Sequence, residues 1–158
     1  MSTKNKIQLT KKGFQDLQEE LSELVNTKLP EVVKRISVAR DKGDLSENTE
    51  YQNAKEDKDI IDARISEIED VIKRAEVVNK TRSKTLIGIG SEVITYPQNN
   101  KSKKMTITVA GEFEGDVEQG MISIVSPLGK ALLGKKQGDK VTVSAPSGDI
   151  VYVVEKVK

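Results

Sequence analysis

Two long stretches of this chain place apolar side chains in steps of three and four, and a short acidic segment, 43–51, separates them. Phe14, Leu17, Leu21, Leu24 or Val25, Leu29, Val32, Ile36 and Ala39 mark one face of a first helix. Tyr51, Ala54, Lys58, Ile61, Ile65, Ile68, Ile72 and Ala75 mark a heptad seam on a second, interrupted by Lys58. Each arm is long enough to span roughly 45 Å at 1.5 Å per residue. A connection of a few residues requires the arms to run antiparallel. Thr10 is a candidate N-cap for the first arm. Pro30 lacks a donor and clashes with the preceding turn, so a kink is expected there. Gly43 ends the first arm.

The connecting segment reads Gly43-Asp44-Leu45-Ser46-Glu47-Asn48-Thr49-Glu50-Tyr51. An acid followed three residues later by Glu is a capping pattern, so Asp44 can cap the second helix while Glu47 folds back on it. Both acids also suit the positive end of a helix dipole. Spacing alone does not separate a helix cap from a metal ligand, and one residue can serve as both.

Composition narrows the chemistry. Charged residues make up 32% of the chain and aromatics 3%, which suits a long solvated helical element beside a modest core. The net charge is only +1, so bulk affinity for nucleic acid is not implied. There is no cysteine and no histidine. This excludes disulfides, thiol catalysis and cysteine zinc sites, and it removes the commonest general base. No apolar run approaches the ~20 residues of a membrane span, and residues 1–6 lack a signal-peptide pattern, so a cytoplasmic protein is expected.

Periodicity changes beyond the arms. Residues 1–80 read as the antiparallel hairpin with its acidic tip near 43–51, and 81–158 as a compact antiparallel sheet with one helix. Strands are expected at Ser91–Tyr96, Met105–Ala110, Gly120–Val125, Val141–Ala145 and Ile150–Val154. Ser126-Pro127 starts a short helix with Leu128, Leu132 and Leu133 facing inward, ended by Gly134. Lys101, Lys103 and Lys104 read as a solvated loop. Gly134 to Asp139 reads as a turn, because it lacks the spacing of a phosphate loop. Ser126 has no histidine partner in the chain, so no nucleophilic triad is available.

The tip segment 43–51 is similar to the signature of the Gre transcript-cleavage factors, closest to the GreA type. Ser126-Pro127-Leu128-Gly129-Lys130-Ala131-Leu132-Leu133-Gly134-Lys135-Lys136-Gln137-Gly138-Asp139 resembles that family's C-terminal signature, and Pro30-Glu31 also matches. The resemblance implies an α+β fold: an antiparallel coiled-coil hairpin followed by an FKBP-like sheet domain. It implies a partner, bacterial RNA polymerase, with the globular domain docked at the secondary-channel rim and the hairpin threaded toward the active centre. It implies stimulation of the polymerase's own cleavage of backtracked RNA, not a complete active site in this chain.

By the same resemblance, Asp44 and Glu47 would help hold a second Mg2+ shared with polymerase. Leu45, Asn48, Glu50 and Tyr51 would support the tip, and Arg40 and Lys55 would lie near the nascent RNA 3′ segment. From the residues alone, Arg40 and Lys55 equally suit solvated interhelical ion pairs. Thr49 stands where the family often has alanine. A free monomer that avoids membranes is expected.

Three other readings compete. A channel-occupying, inhibitory paralogue would share the fold, but the spacing of Asp44 and Glu47 argues against it. A prolyl isomerase would need an aromatic-lined pocket, for which the second half offers only Phe113, Tyr96 and Tyr152. An inert coiled-coil adaptor would leave the tip acids dispensable.

Overall fold

A computed structural model describes residues 5–43, 48–81 and 83–158. The chain divides into two compact units, one from Met1–Asn5 and Phe14–Ala75, the other from Lys6–Gly13 and Glu76–Lys158.

The first unit is the expected helical hairpin. Its first arm runs through α1 (Lys11–Glu23), a π-turn (Leu24–Lys28) and α2 (Leu29–Arg40), and its second arm is α3 (Thr49–Arg74). Leu17, Leu24, Val32 and Ala39 are buried on the first arm, against Ala54, Ile68 and Val71 on α3. The choice left open by the sequence falls to Leu24, which is 6% exposed, while Val25 is 41% exposed. Near the base of α3 the seam moves by one residue, so that Val71 is buried and the expected Ile72 is only half-buried. An α-helix drifts by about 20° per heptad against a strict seven-residue repeat, which accounts for the shift.

Charged pairs join the arms outside this apolar stripe. Arg64 grips Glu20 with two hydrogen bonds, Nε to Oε1 at 2.6 Å and Nη2 to Oε2 at 2.9 Å, and also donates to Glu67 at 2.8 Å. The guanidinium holds the Glu20 carboxyl below the usual carboxylate range. Arg35 pairs with Asp57 at 2.8 Å. Lys58, the polar interruption of the seam, pairs with Asp62 one turn along at 2.6 Å. The hydrogen bond to Asp62 raises the Lys58 ammonium above its ordinary range.

In the second unit β1 (Ile7–Leu9) and β2 (Ala75–Val77) form a two-stranded sheet. Glu114 ties the segment after β1 to the loop that contains it. Its Oε2 accepts from the Thr10 and Gly111 amides at 3.0 and 3.1 Å, and its Oε1 accepts from the Thr10 hydroxyl. Thr10 Oγ1 in turn accepts from the Gly13 amide at 3.1 Å, the cap expected of it.

The main sheet contains β3 (Glu92–Pro97), β4 (Met105–Ala110), β5 (Met121–Ser123), β6 (Lys140–Ala145) and β7 (Gly148–Val157) in the order β5-β4-β3-β7-β6. Val93, Ile107, Val109, Val141 and Val154 form its buried face. Leu132 of α4 (Pro127–Leu132) closes the core from one side. Ser126 caps α4 by accepting from the Gly129 amide at 3.1 Å, as expected.

Two details differ from the sequence reading. The β4–β5 pair is parallel, so the sheet is mixed. Parallel neighbours need a crossover of about ten residues or more, and 111–120 supplies one. Leu133 is 43% exposed rather than inward-facing. It is the C-cap of α4, where extended backbone (φ −57°, ψ 127°) takes its side chain off the helical period, and Gly134 follows at φ +78°.

The loop and turn expectations hold. Lys104 pairs with Glu155 at 2.6 Å, and Lys101 Nζ lies 5.8 Å from the centre of the Tyr96 ring. Lys136 donates its amide to Asp139 at 3.0 Å, closing the turn after α4. Among the described residues no helix is long and apolar enough to cross a membrane.

Candidate functional site

The hairpin tip is built from the last turn of α2, Gly43, and the first turns of α3. Asp41 donates its amide to Ser37 at 3.2 Å and Lys42 donates to Ala39 at 3.2 Å, which closes the end of α2. Gly43 then adopts φ +133°, a conformation open to glycine and strained for other residues. Asp44, Leu45 and Glu47, the expected acids and their apolar neighbour, lie outside the described residues. The chain is described again from Asn48.

Asn48 holds the far side of this segment. It is the N-cap of α3, in extended backbone (φ −83°, ψ 95°), with Oδ1 accepting from the Tyr51 amide at 3.1 Å. Its Nδ2 donates to the Ala39 carbonyl at 2.6 Å. One side chain thus satisfies a free amide of α3 and ties it to the buried end of α2. The capping role expected of Asp44 for this helix belongs to Asn48. A capping pattern read from sequence fixes the residue type but not the first helical residue. The bond to Ala39 depends on the facing arm and decides between the two.

The remaining tip residues separate into paired and free. Glu50 accepts from Lys42 Nζ at 3.1 Å, across the two arms. Both side chains are exposed, so the pair contributes little by itself. Tyr51 is half-buried. Arg40 and Lys55 are exposed and make no ion pair among the described residues, so the alternative of an interhelical pair has no support there. Arg40 stands in the last turn of α2 and Glu50 in the first turn of α3, each at the helix end where its charge is favourable.

The sequence reading missed Lys42. A base immediately before the turn and an acid just after the next cap were the available signal. It also missed a cleft of about 430 Å³ between the arms, bordered by Lys34 and Val38 on α2, by Lys42 in the turn that follows it, and by Glu50 and Ala54 on α3. Among the described residues no group of three or more acidic side chains could hold a metal ion.

Comparison with known proteins identifies the family. The family model for the N-terminal part of transcription elongation factors matches residues 7–77, and that for the C-terminal part of GreA/GreB matches 82–158. The chain belongs to the GreA/GreB family of transcription elongation factors. Its relatives place it with the GreA type. It is 42% identical to transcription elongation factor GreA of Rhodospirillum rubrum, covering 97% of this chain and 98% of that one. It is 41% identical to GreA of Mesorhizobium japonicum over 98% of each chain, and 39% identical to GreA of Paracoccus denitrificans over 97% of each. Among solved structures, GreA factor homolog 1 of Thermus thermophilus matches with a TM-score of 0.45 at 29% identity, covering 98% of this chain and 99% of that one. A GreA/GreB factor from Nitrosomonas europaea matches with a TM-score of 0.43 at 21% identity, covering 97% and 99%.

Proposed function

We propose that this elongation factor acts on bacterial RNA polymerase, reaching through the secondary channel with its hairpin and stimulating the polymerase's own cleavage of backtracked RNA. One observation carries the reading. The four residues that include Asp44 and Glu47 lie between Gly43 and an Asn48 that is bonded to both arms. The chain segment that carries both acids thus joins two arms that Asn48 ties together.

The donor set fits magnesium. Carboxylates are the hard oxygen ligands this ion prefers, and it retains several waters when bound. Asp44 and Glu47 would contribute two positions, leaving the others to water and to polymerase. An ion so shared would be held only in the complex. When bound, magnesium supplies the Lewis acidity of two-metal phosphodiester hydrolysis. The chain's own part is to present the carboxylates, orient water by hydrogen bonding, and offer Arg40 and Lys55 to the phosphates of the RNA 3′ segment. The remaining catalytic groups belong to polymerase, so the chain is an accessory factor rather than a nuclease.

The test uses a stalled, backtracked bacterial elongation complex with 5′-labelled RNA and magnesium. The intact protein should shorten the RNA and restore elongation, and Asp44→Ala/Glu47→Ala should bind equally well without shortening it. Slowed elongation with no cleavage by the intact protein would make it a channel-occupying inhibitor. Cleavage of free RNA by the pure protein would make it a nuclease. Either outcome overturns the proposal.

A further inference from the structure

The first arm contains one residue more than its heptad allows. Phe14, Leu17, Leu21 and Leu24 are spaced by three, four and three, and so are Leu29, Val32, Ile36 and Ala39. All eight are buried or half-buried. The step joining the two sets is five. In an unbroken α-helix five residues turn about 500°, which would leave Leu29 about 140° away from the direction of Leu24. Removing one residue from this step would give three, four, three, four, three, four, three throughout.

The π-turn lies at that step. The Leu29 amide bonds to the Leu24 carbonyl, five residues back rather than four. The wider turn brings Leu29 back to the seam. Pro30 follows immediately, in the first turn of α2. It has no amide to donate, and in an α-helix its ring would strike the carbonyl of Asn26. A widened turn leaves room for that carbonyl. The supernumerary residue and the proline are therefore each accommodated by the same local structure.

We infer that the π-turn is a one-residue insertion in an otherwise unbroken heptad, matched to Pro30, and that the two together set the rotational phase of α2. Without the π-turn the extra residue would rotate everything beyond it by about 100°. Val32 and Ala39 would leave the seam, and the Ala39 carbonyl would turn away from Asn48. With the π-turn, ion pairs form on both sides of the step: Glu20–Arg64 toward the base and Arg35–Asp57 toward the tip. The turn is thus a phase corrector that aims the last turns of α2.

The experiment compares three variants of the full-length chain by far-ultraviolet circular dichroism during heating and by hydrogen exchange of the Lys42 and Tyr51 amides. Deletion of Thr27 combined with Pro30→Ala yields an uninterrupted heptad. It should keep the helical signal, melt at or above the intact protein, and leave both amides protected. Deletion of Thr27 alone restores the proline clash and should melt below the double variant. Deletion of Ser37 with Pro30→Ala, an exposed position with no insertion to correct, should lose the hairpin transition. The inference is overturned if the Thr27 double variant collapses like the Ser37 control, or if deleting Thr27 alone matches the double variant.

Discussion

Replacing Asn48 separates its two bonds, the cap on α3 and the tie to α2. Asn48→Ala removes the N-cap bond to Tyr51, worth about 1 kcal/mol. It also removes the bond to the Ala39 carbonyl, worth about 1 kcal/mol more. That carbonyl still accepts from Lys42 at 3.2 Å, so it is not orphaned, and the second loss stays near the value for a single bond. The total is about 2 kcal/mol, confined to the tip. Asn48→Asp keeps an acceptor for Tyr51 and places a favourable charge at the helix N-terminus, but it has no donor for Ala39. Its expected loss is about 1 kcal/mol. Local opening free energy governs amide exchange there. The Tyr51 and Lys42 amides should exchange roughly 30-fold faster in Asn48→Ala and roughly fivefold faster in Asn48→Asp, at 1.4 kcal/mol per factor of ten. Exchange read by mass spectrometry on peptides spanning 39–52 of the full-length protein measures both. Unchanged exchange in the alanine variant would refute the cap. Equal exchange in the two variants would refute the division of labour between Oδ1 and Nδ2.

Two further predictions concern stability. Thr95 is fully buried in β3, beside the irregularity in its pairing with β7, and its Oγ1 finds no partner among the described residues. Thr95→Val should stabilise the sheet unit by about 1 kcal/mol in urea unfolding, because an unbonded buried hydroxyl is unfavourable by that order; a destabilised variant would show that the hydroxyl is bonded after all. The Glu20 carboxyl is held low by Arg64, so its contribution is present above the unfolded carboxylate range and is lost as pH falls through the lowered folded value. Hairpin stability should therefore decline on acidification below about pH 4.5, and less so in Glu20→Gln; identical acid profiles would refute the role of this pair.

Much of this molecule was legible in its sequence because burial follows period. The seam from Phe14 to Ala39, the strand Met105–Ala110 and the Ser126 cap each depend on neighbours within a few residues. What was not legible depends on groups far along the chain. Leu24 and Val25 were indistinguishable because the π-turn reveals itself only when the whole first arm is phased against α3. Asp44 and Asn48 are both good caps, and a carbonyl nine residues before Asn48 selects between them. β5 reads as a strand from its own residues, but local pattern carries no direction, so its parallel pairing was invisible. At the tip, Arg40, Asn48, Glu50, Tyr51 and Lys55 were singled out by resemblance. Only the geometry distinguishes Asn48, which holds both arms, from Arg40 and Lys55, which face solvent.

The order of the main sheet bears on how the protein fails when heated. Its longest strand, β7, is ten residues and lies between two neighbours. The edges are less inviting templates for another chain. β5 is only three residues long, and β6 begins at an exposed lysine, Lys140, and is followed by Pro146. Short edges, edge lysines and prolines discourage strand addition. Detachment of β6 would expose β7 along six of its ten residues, which include Ile150, Val151, Tyr152 and Val153. With Val154 these form an uncharged run of β-branched and aromatic residues, Ile150–Val154, the kind of segment that favours cross-β assembly. Aggregation should thus be governed by the fraying of β6 rather than by complete unfolding, and strengthening the β6–β7 turn would protect solubility even without raising global stability.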